Sequence, residues 1–462
     1  MKPRQNARLR QALLALLLTV LLLGAWLYRH AETVVLAAQA YVFGTPLVMM
    51  SLTREASLHR LGPENQLQRV RQFPQASFRD VVRPNVDTLY TTAFIDLAQG
   101  PWVFHMPAGH QRYTLMAFLD GWTDVFAALG TRTQADAGGT YLLLGPGQQA
   151  SPTQDMTVLR AGTRMAWLIG RIQTHGPQDL ANVHALQDGL QLIPLHDWQT
   201  GVRQAKTTPW QPTPAPSPPL ARLLDMPTPL FFEQLAQLMQ NNPPRPEDAP
   251  MLRKLARLGV QPGQTPVWGW SEGLAVRLGR QIADFRLEQE LRRSRAAPNG
   301  WQTPPDVLGR YGTGYNIRAA VARMGLGANA PEDAMYPQAR VDAQGQALHG
   351  RHRYRLRFAP DALPPVKAFW SITAYGLDDY LLEVPGARHA IRSSDPLVFN
   401  ADGSLDLLIQ SEPPSTTPAN WLAVRTDQAF LLNARLYWPT PPALQGTWQM
   451  PSIERLPADD PR

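Results

Sequence analysis

A chain of 462 residues is too long for one small core and predicts two or three domains. Its 44% apolar share is enough to bury, and its 44 prolines, nearly twice the usual frequency of about 5%, argue against a mainly helical fold. The absence of cysteine excludes disulfides, thiolate metal sites and cysteine nucleophiles.

The net charge of +7 suggests a nucleic-acid partner until it is located. Lys2, Arg4, Arg8, Arg10 and Arg29 carry five of those charges, and no carboxylate lies before residue 31, so the remainder carries 7 − 5 = +2. A phosphate-binding domain concentrates its excess on one folded face. Here the excess flanks an apolar run, so no nucleic-acid partner is expected.

That run, Ala12 to Tyr28, is broken only by Thr19 and Gly24. As a helix it spans about 25 Å, enough for a bilayer, with Trp26 and Tyr28 at the interfacial level. Residues 1–30 thus read as a basic tail and a transmembrane signal anchor, with residues 12–28 in the lipid. The basic residues before the run keep the N-terminus in the cytoplasm and place the rest outside. In a bacterium this is a single-pass inner-membrane protein with its bulk in the periplasm. A cleaved signal peptide is the alternative, but its only small-x-small site, Ala38-Gln39-Ala40, falls inside an amphipathic helix read over 31–50. A buried core helix is the third reading.

A first domain is expected over 31–200. After the leading helix, short β-type runs follow at Leu89–Leu97, Trp102–Met106, Tyr113–Leu119 and Tyr141–Leu144, punctuated by Gly and Pro. Short strands with turn residues between them predict a β-sandwich or barrel. The stretch Arg83-Pro84-Asn85-Val86-Asp87-Thr88-Leu89-Tyr90 concentrates a cation, a turn-setting proline, an amide, a carboxylate and a phenol. Together with Arg112, Asp120, Asp124 and Arg132, its Asn85, Asp87 and Tyr90 flank predicted strand ends, where loops gather. Such a set suits acid–base work or a sugar site. The structural alternative is equally concrete. Asn85 and Asp87 are turn formers that bond backbone, and Arg112 with Asp120 suits a buried ion pair. His105 and His110 bracket a turn but lack a third ligand at recognisable spacing, so no metal is expected.

The residues Ala40-Tyr41, Gly44, Pro46, Asn85-x-Asp87-Thr88-Leu89-Tyr90, Asp96-Leu97, Pro101, Pro107, Arg112-Tyr113, Asp120, Gly130-Thr131-Arg132 and Gly145-Pro146 resemble the bacterial family called domain of unknown function 1254. Gly170-Arg171, Asp179-Leu180 and Gln187 continue the likeness. The resemblance implies a β-rich domain with no established chemistry.

Residues 201–330 read as a linker and a helical segment. Six prolines between Pro209 and Pro219 mark an extended spacer. Helices are expected from Thr228, over Pro250–Leu258, from Ser271 to Ser294, and over Asn316–Met324. Gly269-Trp270-Ser271-Glu272-Gly273 matches the nucleophile-elbow pattern, but only Val267-Trp268 precedes it after Pro266, too short for the strand an elbow needs. Ser271 is better read as a helix N-cap. Tyr311-Gly312-Thr313-Gly314-Tyr315 lacks the strand and third glycine of a nucleotide fingerprint and reads as a turn.

Strand patterns return over 331–462, at 352–358, Phe369–Tyr375, Leu405–Gln410 and Phe430–Tyr437. Tyr354, Phe358, Pro364-Pro365, Ala368-Phe369-Trp370-Ser371-Ile372-Thr373, Tyr375, Asp402-Gly403-Ser404, Asn420-Trp421-Leu422, Arg435-Leu436-Tyr437 and Pro439 resemble a second family, domain of unknown function 1214. Two stretches depart from that family's pattern: Gly386-Ala387-Arg388-His389, and Ala423-Val424-Arg425 where a proline usually follows Asn-Trp-Leu. Trp370, Tyr375, Trp421, Tyr437 and Trp438 suit a sugar platform or a core, with Asn420 and Arg435 as hydrogen-bonding partners. Trp370 and Tyr437 read as core and Trp421 as the better site residue. His349 and His352 flank Gly350 as a weak metal pair.

The expected fold is mainly β with α: two antiparallel β-sandwich or jelly-roll-like domains, joined by the helical middle and preceded by one transmembrane helix. The expected function is binding or processing of a polar envelope or extracellular ligand such as a glycan. The candidate residues are Asn85, Asp87, Tyr90, Arg112, Asp120, Arg132, Asn420, Trp421 and Arg435, with no cofactor. An envelope structural or assembly protein without catalysis, and a carboxylate-dependent hydrolase or lyase, are the alternatives. A homo-oligomer stays open.

Overall fold

In the computed structural model one helix, α1 (Lys2–Arg60), runs unbroken from the basic tail through the apolar run into the body of the protein. The structure describes residues 2–78, 83–109, 111–135, 137–152, 155–214, 217–292, 299–303, 306–384, 386, 388–415 and 418–457. From Gln11 on, α1 is long and apolar enough to cross a membrane by length and composition. Its leucines from Leu13 to Leu23 are exposed, whereas Tyr41, Phe43, Leu47, Val48 and Met50 are buried. The helix separately read over 31–50 is therefore the inner half of this single rod.

The helices of the middle segment surround that inner half. Pro219–Asp225, Thr228–Asn241, Ala249–Arg257, Trp270–Arg292 and Tyr315–Met324 contribute Leu223, Phe231, Leu235, Leu255, Val276 and Ala319 to the same core cluster as α1. Polar ties fix the bundle. Arg323 donates to the Tyr41 hydroxyl (3.0 Å), and the Arg280 guanidinium lies 5.1 Å above the Tyr41 ring. Gly279 lets the Trp270–Arg292 helix approach closely: a Cβ there would lie 2.4 Å from the Val34 carbonyl oxygen.

The first β region holds β1 (Gln68–Arg69), β2 (Thr88–Asp96), β3 (Trp102–Met106), β4 (Thr114–Asp120), β5 (Val125–Gly130), β6 (Gly139–Leu144), β7 (Met156–Arg160), β8 (Met165–Gln173) and β9 (Gln191–Pro194). They form one sheet of order β1-β2-β8-β4-β5 and another of order β7-β6-β3-β9. The first sheet is covered on both faces, and its side chains alternate accordingly. Leu115, Ala117 and Leu119 of β4 join the helical core, while Met116 and Phe118 join Phe104 and Leu143 of the second sheet. Double burial explains why β4 reads as an almost continuous apolar run.

The second β region holds β10 (Trp301–Gln302), β11 (Ala334–Met335), β12 (Gln338–Ala339), β13 (Tyr354–Phe358), β14 (Trp370–Gly376), β15 (Ala390–Arg392), β16 (Leu405–Gln410), β17 (Trp421–Ala423), β18 (Phe430–Tyr437) and β19 (Ile453–Arg455). Its sheets run β10-β12-β18-β14-β15, with β11 also on β18, and β17-β16-β13-β19. Trp370, Ile372 and Ala374 of β14 and Leu432, Ala434 and Leu436 of β18 share one core cluster with Leu356 and Leu407 of the second sheet.

Helices hold more residues than strands, so the protein is mixed α/β rather than mainly β. The proline count misleads because a proline need not break a helix: Pro219, Pro229 and Pro250 sit where helices tolerate them, in the first turns of Pro219–Asp225, Thr228–Asn241 and Ala249–Arg257. Nor are the sheets wholly antiparallel, since β7 joins β6 and β17 joins β16 in parallel.

Candidate functional site

The face of β14 and β18 opposite their core cluster carries Ser371, Thr373 and Tyr375, and Asn433, Arg435 and Tyr437. These residues are polar, yet all are buried. What covers them is the segment from Arg83 to Thr88.

Asp87 is completely buried, and its carboxylate is filled from the second domain. Ser371 Oγ donates to Oδ2 at 2.5 Å, Tyr437 Oη donates to the same oxygen at 3.1 Å, and Arg392 Nε donates to Oδ1 at 3.1 Å. Arg392 also donates to the Val86 carbonyl at 2.6 Å. Asn85 shapes the turn from within: its Oδ1 accepts the Asp87 amide at 2.6 Å, and its Nδ2 donates to Thr88 Oγ1 and Tyr437 Oη. Arg435 donates to the Arg83 carbonyl (3.0 Å), to Tyr375 Oη (2.7 Å) and to Thr373 Oγ1 (3.0 Å), while Tyr375 Oη donates to the Pro84 carbonyl (2.8 Å). At the rim Arg83 Nε meets Asp379 Oδ1 at 2.8 Å, and the Arg83 amide donates to the Asp379 carbonyl at 2.7 Å. Arg83 and Asp379 both take left-handed backbone conformations, with φ of 49° and 64°, a strain that the paired contacts hold in place.

Electrostatics fix the protonation of this cluster. Burial and the neighbouring Asp87 push the Tyr437 phenol well above its usual range, so it remains a donor. Burial opposes the Arg435 charge, but Tyr375, Tyr437 and Asp87 outweigh it and hold that guanidinium protonated. A buried charge is costly unless paired and hydrogen-bonded, and here the partners of Asp87 come from across the domain boundary, while Arg435 is held by Thr373 and Tyr375 of its own sheet and by the Arg83 carbonyl from across it.

The other candidates disperse. Tyr90 is half-buried beneath the Arg171 guanidinium, 5.3 Å from its ring centroid, and Arg171 donates onward to Asn329 Oδ1 and the Gly327 carbonyl. Arg132 clasps Asp333 with two bonds of 2.6 and 3.1 Å, a second tie between the domains. Arg112 pairs with Asp179 rather than with Asp120, at 2.5 and 2.9 Å. Burial raises the Asp179 carboxyl, but the bonds from Arg112, Asn182 and the His175 amide outweigh that and hold it at about 2. Asp120 caps its own turn, accepting the Trp122 and Asp124 amides. Burial, then the Asp124 charge, pushes it up to about 7. Asp124 accepts the Tyr311 amide and pairs with Arg245.

Asn420 and Trp421 belong elsewhere. Asn420 is buried and bonds Val398 and Asp406, and the Trp421 indole donates to the Gln410 carbonyl. Arg388, from the stretch that departs from the family pattern, donates to the Trp421 and Ala419 carbonyls. Its task is to hold this loop. Ser271 lies within the first turn of its helix, not at the N-cap, and its Oγ accepts the Trp26 indole N–H (2.8 Å) and meets His30 Nε2 (2.9 Å). His105 Nδ1 meets Thr140 Oγ1 at 3.1 Å, and His110 lies outside the described residues. His352 sits between Arg351 and Arg455, a setting that repels a cation.

A cleft of about 330 Å³ opens beside the buried cluster, between the two β regions. Gln111, Tyr113, Thr131, Gln173 and His175 line one side, and Lys367, Phe369, Ser393, Ser394 and Trp438 the other. Phe369 stacks on Tyr437 at 4.1 Å, and Lys367 Nζ lies 5.1 Å over the Trp438 ring. Trp438 takes a φ of 53° at this wall. Sequence reasoning missed Ser371, Arg392, Asp333 and Arg171 as partners. The available signal was the period-two placement of Ser371, Thr373 and Tyr375 on one face of an otherwise apolar strand.

Two β regions, joined through a polar interface and carried on one long helix, define a two-domain protein whose halves are built around each other. Family models match both: Protein of unknown function (DUF1254) over residues 64–194 and Protein of unknown function (DUF1214) over residues 333–441. The chain carries these two families' domains, in that order from the N-terminus. The crystal structure of the VPA0106 protein from Vibrio parahaemolyticus is similar in fold, with a TM-score of 0.70 and 21% identity, covering 92% of this chain and 100% of that one. An uncharacterised Burkholderia cenocepacia protein overlaps 95% of this chain and 98% of its own at 12% identity and a TM-score of 0.47. No curated protein matches the chain. Against these families, the interface has a clear reading: the Asn-x-Asp-Thr motif of the first domain is seated on the Trp-Ser-x-Thr and Arg-x-Tyr motifs of the second.

Proposed function

We propose that this is a membrane-anchored envelope protein in which the Arg83–Thr88 segment is an interdomain lock rather than an active site. The observation that carries this reading is the burial of Asp87, with both carboxylate oxygens engaged from across the boundary. A catalytic carboxylate must reach substrate or water, and this one reaches neither. The basic residues ahead of the exposed apolar run favour a cytoplasmic N-terminus and a periplasmic body. Continuity of α1 into the core supports an uncleaved anchor over a signal peptide, because a cut near Ala40 would remove half of a core helix. The doubly layered sheets fit a sandwich arrangement in each domain. Replacing Asp87 by Ala in the full chain tests the lock: thermal unfolding should shift down strongly, and an unchanged midpoint would overturn the reading.

A second reading is favoured by the cleft. Its aromatic walls, Phe369 and Trp438, with Gln173 in the buried lining and Ser393 and Lys367 exposed at the rim, suit a polar small molecule such as a glycan. Here the lock serves to hold the two walls in register. A thermal-shift screen of sugars against the full chain and a Trp438→Ala variant checks it. A stabilising sugar whose effect the variant loses supports the cleft, and a sugar effect that survives in the variant, or none at all, removes it.

A further inference from the structure

We infer that the loop ending at Trp270 is a second membrane contact, a foot that rests in the headgroup layer of the bilayer crossed by α1. This rests on the anchor reading above. The Trp270–Arg292 helix begins level with the end of the apolar run: Ser271 Oγ accepts the Trp26 indole N–H and meets His30 Nε2. Trp26 lies where the run meets the interface, so the residue before Ser271 lies at that depth too.

Two large apolar side chains are bare at this level. Val267 is 87% exposed and Trp270 is 83% exposed. Between them Trp268 turns inward, donating to the Leu258 carbonyl at 2.8 Å and packing on Phe232. The alternation is held by that internal tie, so Val267 and Trp270 point out of a fixed loop. Tyr28, 89% exposed on α1, completes an aromatic belt of the kind found at membrane–water interfaces. Cations accompany it. Arg257 pairs with Glu32, two residues beyond His30, and Arg253, Lys254 and Arg29 are exposed. Tryptophan at the interface with arginine and lysine toward phosphate is the chemistry of an anionic lipid surface, and the anchor supplies that surface at zero distance. The foot fixes the tilt of the body on the membrane, which a single helix leaves free to rotate.

The chain contains no cysteine, so single-cysteine variants need no background substitutions. Full-length Val267→Cys, Trp270→Cys, Leu18→Cys and Gln344→Cys proteins are labelled with an environment-sensitive fluorophore. They are then reconstituted in vesicles of phosphatidylethanolamine and phosphatidylglycerol. The foot predicts blue-shifted emission and quenching by headgroup-level doxyl lipids at 267 and 270, with Gln344→Cys reading as water. If 267 and 270 also read as water while Leu18→Cys reads as lipid, the foot is overturned and the anchor stands. If Leu18→Cys reads as water, the anchor fails and the foot with it.

Discussion

Asp120→Asn separates a structural carboxylate from a working one. Burial and the adjacent Asp124 raise the Asp120 carboxyl from an ordinary 3.8 to about 7. Below pH 3.8 both folded and unfolded chains hold the proton. Between 3.8 and about 7 only the folded chain holds it, so stability is present at low pH and drains away as pH rises to about 7. At roughly 1.4 kcal/mol for each pH interval over which the proton difference persists, the full swing is on the order of 4 kcal/mol. Asparagine keeps an oxygen for the Trp122 and Asp124 amides and has no proton to lose. Urea unfolding of parent and variant at pH 4, 6 and 8, in the same detergent, reads the effect. The variant should gain on the parent by several kcal/mol between pH 4 and pH 8. A difference that stays constant with pH would refute the account of Asp120 as a buried, self-capping turn residue.

Arg112→Ala should cost about 3–5 kcal/mol, because it strands Asp179 in a buried site. The depressed Asp179 carboxyl stabilises the fold above its ordinary range, and that contribution is lost as pH falls through about 2, so the deficit measured by urea unfolding should narrow at the acid extreme. Gly279→Val should cost about 1–3 kcal/mol by thermal unfolding, since its side chain meets the Val34 carbonyl and Ala37, neither of which can swing aside. Intact mass spectrometry of the protein from membranes should find residues ahead of Ala40 retained, whereas a species beginning at Tyr41 would contradict the continuous anchor.

Much of the fold was legible residue by residue. The runs at Trp102–Met106, Leu405–Gln410 and Phe430–Tyr437 are strands as read, because short apolar-rich runs bounded by turn residues leave few alternatives. The helices Thr228–Asn241, Ala249–Arg257, Trp270–Arg292 and Tyr315–Met324 were legible from their stripes and stops, whereas Pro219–Asp225, which starts on the last proline of the expected spacer, was not. Their destination was not: a stripe shows that a face is buried, not that α1 is what buries it. The site was the least legible part. Arg83–Tyr90 stood out, but a dense polar turn looks alike whether it faces water or another domain. What decides is Ser371, 284 positions away, and no local pattern carries that pairing. Arg112 illustrates the same limit, since its carboxylate partner proved to be Asp179 rather than the nearer candidate Asp120.

Asp87 joins the two domains through its bond to Ser371. A double-mutant cycle of Asp87→Ala and Ser371→Ala in the full chain measures it, with urea unfolding as the readout. A direct buried bond between them predicts a coupling of about 1 kcal/mol or more, within the usual 0.5–3 kcal/mol for contacting residues. Losses that simply add, to within about 0.3–0.5 kcal/mol as for distant sites, would contradict the lock.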